Sequence, residues 1–285
     1  MKLCYFDNNR FGVVEGETVK DVTSVLESLP AYRPPFPRFD PIIAVLGELL
    51  PAIKAAAATA PAKPLSAVTL LSPVGNPGKV VAAPVNYKAH LEEAIAEPET
   101  FSAAHVRQIH ETGLFLKATS SIVGVSHGVT LRFPDRRNDH EIELVAIIGK
   151  PGSNISEADA LDHIAGYTLG LDMTLRGPEE RSLRKSIDSY TVLGPWLVTA
   201  DEFGDPADVG LSIAVNGEIR QKARTKDLIL SVRALVAFAS SFYTLQPGDV
   251  LMTGTPEGVG PVKPGDVMTA AIERIATIDV KVTSA

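Results

Sequence analysis

The sequence predicts an α+β fold, rich in strands, with a small α/β appendage at the N-terminus. Three observations predict it. From Leu70 onward, short β-rich runs alternate with turns that carry Gly and Pro. Helical periodicity is confined to a few stretches, so strands must supply most of the core, as a barrel, roll or sandwich. The first 70 residues have a different texture, with a proline-rich and an alanine-rich connector.

The elements follow in chain order. Residues 1–30 read as short strands around a turn at Asn8-Asn9, then a short helix over 22–29. Tyr32-Arg33-Pro34-Pro35-Phe36-Pro37 reads as an irregular connector. Residues 42–54 suit a helix, and 55–64, rich in Ala and Pro, a linker. A boundary near residue 70 divides the chain into a small N-terminal domain, 1–70, and a larger domain, 71–285. Lys79-Val80-Val81-Ala82-Ala83-Pro84 reads as a strand leading to Asn86-Tyr87, and 88–112 as helical with a break around Pro98. In 167–174, Tyr167, Leu169 and Leu171 share one strand face, and Thr168, Gly170, Asp172 and Thr174 the other. Asn216-Gly217 between two apolar runs signals a hairpin with a type I′ turn. One amphipathic helix fits 228–243. Pro247-Gly248-Asp249 and Pro264-Gly265-Asp266 each place a tight turn before a strand.

Composition narrows the function classes. The 285 residues suffice for one large domain with an appendage, and 45% are hydrophobic, enough for a substantial core. No apolar run reaches the length of a membrane span, and the first residues lack the long apolar stretch of a signal peptide. Cys4 is the only cysteine, which rules out an internal disulfide and suits a cytoplasmic location. A net charge of −7 argues against nucleic acid as partner. Small anionic substrates remain open, because a metal and a few cationic side chains can set a local field of opposite sign.

The stretch Asp139-His140-Glu141-Ile142-Glu143-Leu144-Val145-Ala146-Ile147-Ile148 carries the chemistry. In a strand, Glu141 and Glu143 point to one face, and Ile142 and Leu144 to the other. Two buried like charges are costly, and a divalent cation removes that cost. An exposed edge strand with its acids in water fits the same pattern. Asp172, on the small and polar face of another strand, is the natural third partner. Three carboxylates without thiolates suit Mg²⁺ or Mn²⁺, and zinc is disfavoured by the lack of a Cys cluster or a His pair at ligand spacing. His140 points away from Glu141 and reads as structural.

His90 and Glu93, three apart on a helix, could form a dyad in which the carboxylate orients the imidazole to take a proton from water; a solvated surface pair has the same spacing. Lys185 near a metal could stabilise an oxyanion, and far from one would be a surface lysine. Arg176, four after Asp172, offers a planar fork for a carboxylate, or a place outside the pocket. The turn Thr253-Gly254-Thr255-Pro256-Glu257-Gly258 could present amides and a hydroxyl to an anion, but it lacks the lysine and length of a phosphate loop.

Taken together, Asn86-Tyr87-Lys88-Ala89-His90 with Glu93, Phe115-Leu116-Lys117, Glu141-Ile142-Glu143, Gly166-Tyr167 through Asp172, and Lys185 with Gly194-Pro195-Trp196 resemble the fumarylacetoacetate hydrolase family. So do Val215-Asn216-Gly217-Glu218, Leu245-Gln246-Pro247-Gly248-Asp249-Val250 and Thr253 through Gly258, and the ordered set spans about residues 75 to 270. The resemblance implies mixed β-sheets wrapped into a roll, a homodimer, and Mg²⁺ or Mn²⁺ on Glu141, Glu143 and Asp172. It implies a lid at about 88–112 carrying the His90–Glu93 dyad, Lys185 beside the metal, and Thr255 on the substrate carboxylate; Tyr87 and Arg176 are further candidates for substrate contact. The activity it implies is hydrolytic C–C cleavage of a β-diketo acid of the acylpyruvate kind, through a metal-stabilised enolate. The alternatives are decarboxylation or keto–enol isomerisation of a 2-oxo diacid at the same site, or non-catalytic binding of 2-oxo acids. Two departures touch the pocket wall. The segment 90–115 is longer than in compact members, and Gly177-Pro178 stands where many relatives have an acidic residue and then Gln.

Overall fold

The computed structural model describes residues 1–96 and 109–285, so Pro98, His105 and the middle of the expected lid lie outside the described residues. In chain order the strands begin with β1 (Lys2–Phe6), β2 (Arg10–Glu15), β3 (Thr18–Asp21), β4 (Ala62–Pro64), β5 (Val80–Ala82) and β6 (Phe115–Lys117). They continue with β7 (Ile122–Gly124), β8 (Val129–Leu131), β9 (Asn138–His140), β10 (Ile142–Ile148), β11 (Ile164–Asp172), β12 (Thr174–Leu175) and β13 (Thr191–Thr199). The last are β14 (Gly210–Val215), β15 (Glu218–Arg224), β16 (Val250–Met252), β17 (Gly260–Pro261), β18 (Val267–Ile272) and β19 (Ala276–Ser284). The α-helices are α1 (Pro41–Ala44), α2 (Leu46–Thr59), α3 (Lys88–Ala96), α4 (Ile109–Thr112), α5 (Arg181–Lys185), α6 (Ala200–Phe203) and α7 (Val232–Phe242).

The strand-rich, mixed architecture is the one expected. The largest sheet runs β4-β3-β2-β1-β13-β11-β10-β16-β5-β6, with β7 added along β13. A second sheet runs β15-β14-β18-β19-β8, and a short third one β12-β9-β17. β10 is central, between β11 and β16, and all its residues are buried. The edge-strand alternative for Glu141 and Glu143 is thereby excluded.

Period-two alternation in β10 divides the interior in two. Ile142, Leu144, Ala146 and Ile148 pack into a cluster with Leu169, Leu171, Ile213 and Val236. Val145 and Ile147 pack on the other face with Leu193, Leu197, Phe11, Val13, Leu46 and Ile53. Glu143 shares the parity of Val145, so its carboxylate leaves the strand on that second face.

Local chemistry explains the flanking elements. Asp40 caps α1, its Oδ1 accepting from Ile42 N and Ile43 N, while its Oδ2 accepts from Gly75 N and Asn76 N. Ser231 caps α7, whose buried Val232, Leu235, Val236 and Ala239 recur at helical spacing. Asn216 and Gly217 both have positive φ, 51° and 84°, as a type I′ turn requires. Two expectations need correction. The 55–64 linker is helix to Thr59 followed by β4, because the alanine run favours helix and Ile53 and Ala57 are buried beneath it. The helix over 22–29 is a 3-10 turn, Thr23–Ser28. The boundary placed near residue 70 is bridged by backbone pairing: β1 runs antiparallel to β13, with Leu3 opposite Leu197. No helix among the described residues is long and apolar enough to cross a membrane.

Candidate metal centre

Antiparallel pairing of β10 with β11 sets Ile142 opposite Leu171 and Glu143 opposite Gly170. One step further, Asp172 N donates to the Glu141 carbonyl at 2.9 Å. Side chains of equal parity on neighbouring strands share a face, so Asp172 meets the two glutamates. One carboxylate oxygen from each of Glu141, Glu143 and Asp172 lies within 4.8 Å of the other two. All three residues are buried.

Two ammonium groups stand among these acids. Lys185, from the end of α5, donates to Glu141 Oε2 at 2.8 Å, Asp172 Oδ2 at 2.7 Å and Thr174 Oγ1 at 2.7 Å. Thr174 in turn donates to Glu141 Oε1 at 2.7 Å. Lys117, at the end of β6, donates to Asp172 Oδ1 and, at 2.9 Å, to the Tyr190 carbonyl. Burial pushes the Lys117 pKa down, and neighbouring Asp172 opposes that shift.

The two glutamates diverge. Burial would raise Glu141, but the charges of Lys185 and Arg176 override it and hold its pKa at about 2. Glu143 is pushed well above the usual carboxylate range by burial and then by the Asp172 carboxylate, with the Gly254 amide and the Lys185 charge opposing. Gly254 N donates to Glu143 Oε2 at 2.7 Å. Among the described residues, Glu143 Oε1 is buried without a hydrogen-bond partner. The cations Lys117, Lys185 and Arg176 pair with Asp172 and Glu141, while Glu143 has no ion pair among the described residues, and its orphaned oxygen marks where a cation would sit. An all-oxygen donor set suits a hard ion such as Mg²⁺ or Mn²⁺.

His90 and Glu93 lie on one face of α3, and His90 Nδ1 is 2.7 Å from Glu93 Oε2. The other Glu93 oxygen accepts from Gly258 N at 2.9 Å, which ties α3 to the 253–258 loop. His90 is only 3% exposed. Tyr87, at the foot of α3, is buried, and its hydroxyl has no hydrogen-bond partner among the described residues. Burial and the nearby Glu143 carboxylate push its pKa up.

Arg176 lies beside the trio, with Nε 2.7 Å from Asp139 Oδ2 and a terminal nitrogen 3.4 Å from Glu141 Oε1. The Thr255 hydroxyl donates to the Ile142 carbonyl at 2.9 Å and accepts from Gln221 Nε2 at 2.8 Å. Its single proton is thus directed at the strand. His140 is buried with Nδ1 3.2 Å from Gln221 Oε1. Sequence reasoning gave no role to Lys117, Thr174 or Gln221. Two of them carried a signal: alternation puts Thr174 on the face of Asp172, and Lys117 on the face of buried Phe115 while Leu116 is exposed.

Comparison with known proteins agrees with this geometry. Residues 79–283 match the family model described as fumarylacetoacetate hydrolase, C-terminal. A maleylpyruvate hydrolase from Aquipseudomonas alcaligenes is 54% identical over 286 aligned residues, covering all of both chains. A human mitochondrial oxaloacetate tautomerase is 37% identical over 270 residues, covering 90% of this chain and 83% of its own. The crystal structure of maleylpyruvate hydrolase from Sphingobium sp. SYK-6, in complex with manganese(II) and pyruvate, superimposes with a TM-score of 0.86 at 38% identity, covering all of both chains.

Proposed function

The chain belongs to the fumarylacetoacetate hydrolase family, and on that premise we propose that it is a metal-dependent hydrolase that cleaves the C–C bond of an acylpyruvate, maleylpyruvate or a close analogue. One observation carries this reading: an acidic trio whose Glu143 has an orphaned oxygen stands within electrostatic reach of His90, whose partner Glu93 is anchored on both carboxylate oxygens.

Mg²⁺ or Mn²⁺ held by Glu141, Glu143 and Asp172 would supply Lewis-acid polarisation of the substrate's oxygens. The remaining chemistry belongs to side chains. Glu93 fixes His90 through Nδ1, which makes Nε2 the nitrogen that exchanges the proton. His90 takes a proton from water as the oxygen bonds to the distal carbonyl carbon. The C–C bond then breaks, its electron pair leaves with the pyruvate fragment as an enolate, and the proton on His90 returns to that carbon. All three Lys185 hydrogens are directed at Glu141, Asp172 and Thr174, so this lysine acts on the departing enolate through its charge rather than by a direct hydrogen bond. Tyr87 and Arg176 flank the trio as substrate contacts. Thr255, its proton committed to Ile142, would contact a carboxylate only by reorienting its hydroxyl.

A homodimer in the cytoplasm is the proposed setting. Cys4 is buried and unpaired, and exposed Leu116 and Leu183 line one surface hollow where a second copy could dock.

His90→Ala tests the assignment. Hydrolysis of maleylpyruvate should fall by about 10²-fold or more, while Mn²⁺ affinity stays near that of the wild type. Unchanged hydrolysis would remove His90 from the mechanism. The tautomerase relative favours one second reading, enol–keto conversion of a 2-oxo diacid. Product analysis separates the two, since hydrolysis alone yields two acid fragments.

A further inference from the structure

We infer, on the reading that the acidic trio holds a metal, that Gln221 is a positioning residue that fixes both the metal-binding strand and the loop on which the dyad is anchored. β10 pairs with β11 along its length, but its ladder with β16 covers only Val145–Ile147. Beyond Met252 the neighbouring chain turns away into the 253–258 loop, which it must do for Gly254 N to reach Glu143. The edge of β10 nearest the ligands therefore needs other partners, because buried strand amides and carbonyls must be satisfied.

Side chains continue the ladder. The Leu144 carbonyl accepts from Thr253 N at 3.2 Å and from its hydroxyl at 2.8 Å. The Ile142 carbonyl accepts from the Thr255 hydroxyl. Ile142 N donates to Gln221 Oε1 at 3.1 Å. The Gln221 amide nitrogen closes the circuit, donating to Thr255 Oγ1 at 2.8 Å and to the Pro256 carbonyl at 2.7 Å. One carboxamide thus stands in for the missing strand. It comes from β15, in a different sheet, where it is 1% exposed while Arg220 and Lys222 on either side are exposed.

Its two halves do different work. The oxygen holds the peptide between Glu141 and Ile142, which sets where two ligands leave the strand. The nitrogen holds Thr255 and Pro256, two residues before the Gly258 amide that anchors Glu93. Small displacements of either group weaken binding or proton transfer.

The test uses full-length Gln221→Leu and Gln221→Glu, with Mn²⁺ binding followed by electron paramagnetic resonance beside steady-state hydrolysis. Gln221→Leu removes both halves, so the Mn²⁺ Kd should rise about tenfold and kcat fall about 10–100-fold. Gln221→Glu keeps the acceptor and loses the donors, so Kd and KM should stay within about threefold of wild type while kcat still falls about tenfold. Should Gln221→Leu fail to fold, the split between Kd and kcat in Gln221→Glu decides alone. Wild-type Kd and kcat in a folded variant, or a lowered Tm with both unchanged, would overturn the role. Absence of Mn²⁺ binding by the wild type would instead overturn the metal reading itself.

Discussion

Glu141 and Glu143 sit two residues apart on one strand, yet their surroundings push them in opposite directions. Glu141 is ion-paired, with its pKa down at about 2, so it contributes stability above the ordinary carboxylate pKa, and that contribution is lost as pH falls toward 2. Glu143 is raised by burial and by Asp172, so the metal-free fold is favoured below the ordinary carboxylate pKa and loses that advantage as pH rises through the elevated value. Replacing Glu143 by Gln keeps an acceptor for Gly254 N and removes the charge. At pH 8 without metal, Glu143→Gln should be more stable than wild type, because burial and the Asp172 carboxylate make the charged form costly in the folded protein. The gain should shrink at pH 5, because the proton that folded Glu143 favours is more readily available there. Mn²⁺ at a hundred times its Kd should stabilise wild type by about 2.7 kcal/mol and leave the variant unchanged. Thermal unfolding at both pH values, with and without Mn²⁺, checks each sign. At this scale the sequence was most legible where periodicity acts: alternation alone puts Glu141 and Glu143 on one face. Gln221 was illegible because it lies between exposed, charged neighbours, and its burial is imposed by a strand about eighty residues away.

Elements carry the dyad. α3 and the 253–258 loop meet through Glu93 and Gly258 N, and Asn86 fastens the foot of α3 by donating to the carbonyls of Leu230 and Thr253. Gly258 has φ +87°, and a Cβ there would lie 2.0 Å from the Arg220 carbonyl oxygen. Gly258→Ala must therefore push the loop off β15 and carry its amide away from Glu93. The expected result is a kcat lower by roughly ten- to a hundredfold and a stability loss of about 1–3 kcal/mol. Mn²⁺ binding should survive better than turnover, because the trio hangs from β10 and β11; kinetics beside a metal titration would show this. Elements with strong local signals were readable: the Asn216-Gly217 hairpin, the β5 strand and the amphipathic α7, although its start was placed at 228 and not behind the Ser231 cap. The alanine-rich end of α2 was misread because composition was weighed over helix propensity, and the buried face that holds it belongs to a core assembled from distant strands.

The whole molecule raises the question of whether the catalytic part can stand without its first 70 residues. β13 is flanked by β1 and β11 in the large sheet, and Leu3 and Lys2 pair with Leu197 and Val198. Phe11, Val13, Ile43, Leu46 and Ile53 cover the face formed by Val80, Ala82, Val145, Ile147, Leu193 and Leu197. Glu143 leaves β10 on that same face, so the acidic trio lies at the polar end of a core that the N-terminal segment covers. Removing residues 1–70 would uncover several large apolar side chains at about 1.5–3 kcal/mol each, on the order of 10 kcal/mol together. That is comparable to the entire stability of an ordinary domain. A fragment of residues 71–285 should therefore aggregate or lack cooperative unfolding, with no recovery on adding Mn²⁺, as size-exclusion chromatography and calorimetry would report. A soluble fragment that unfolds cooperatively and hydrolyses substrate with Mn²⁺ would show the opposite: a catalytic unit bounded near residue 70, with the shared sheet and core adding rigidity rather than existence.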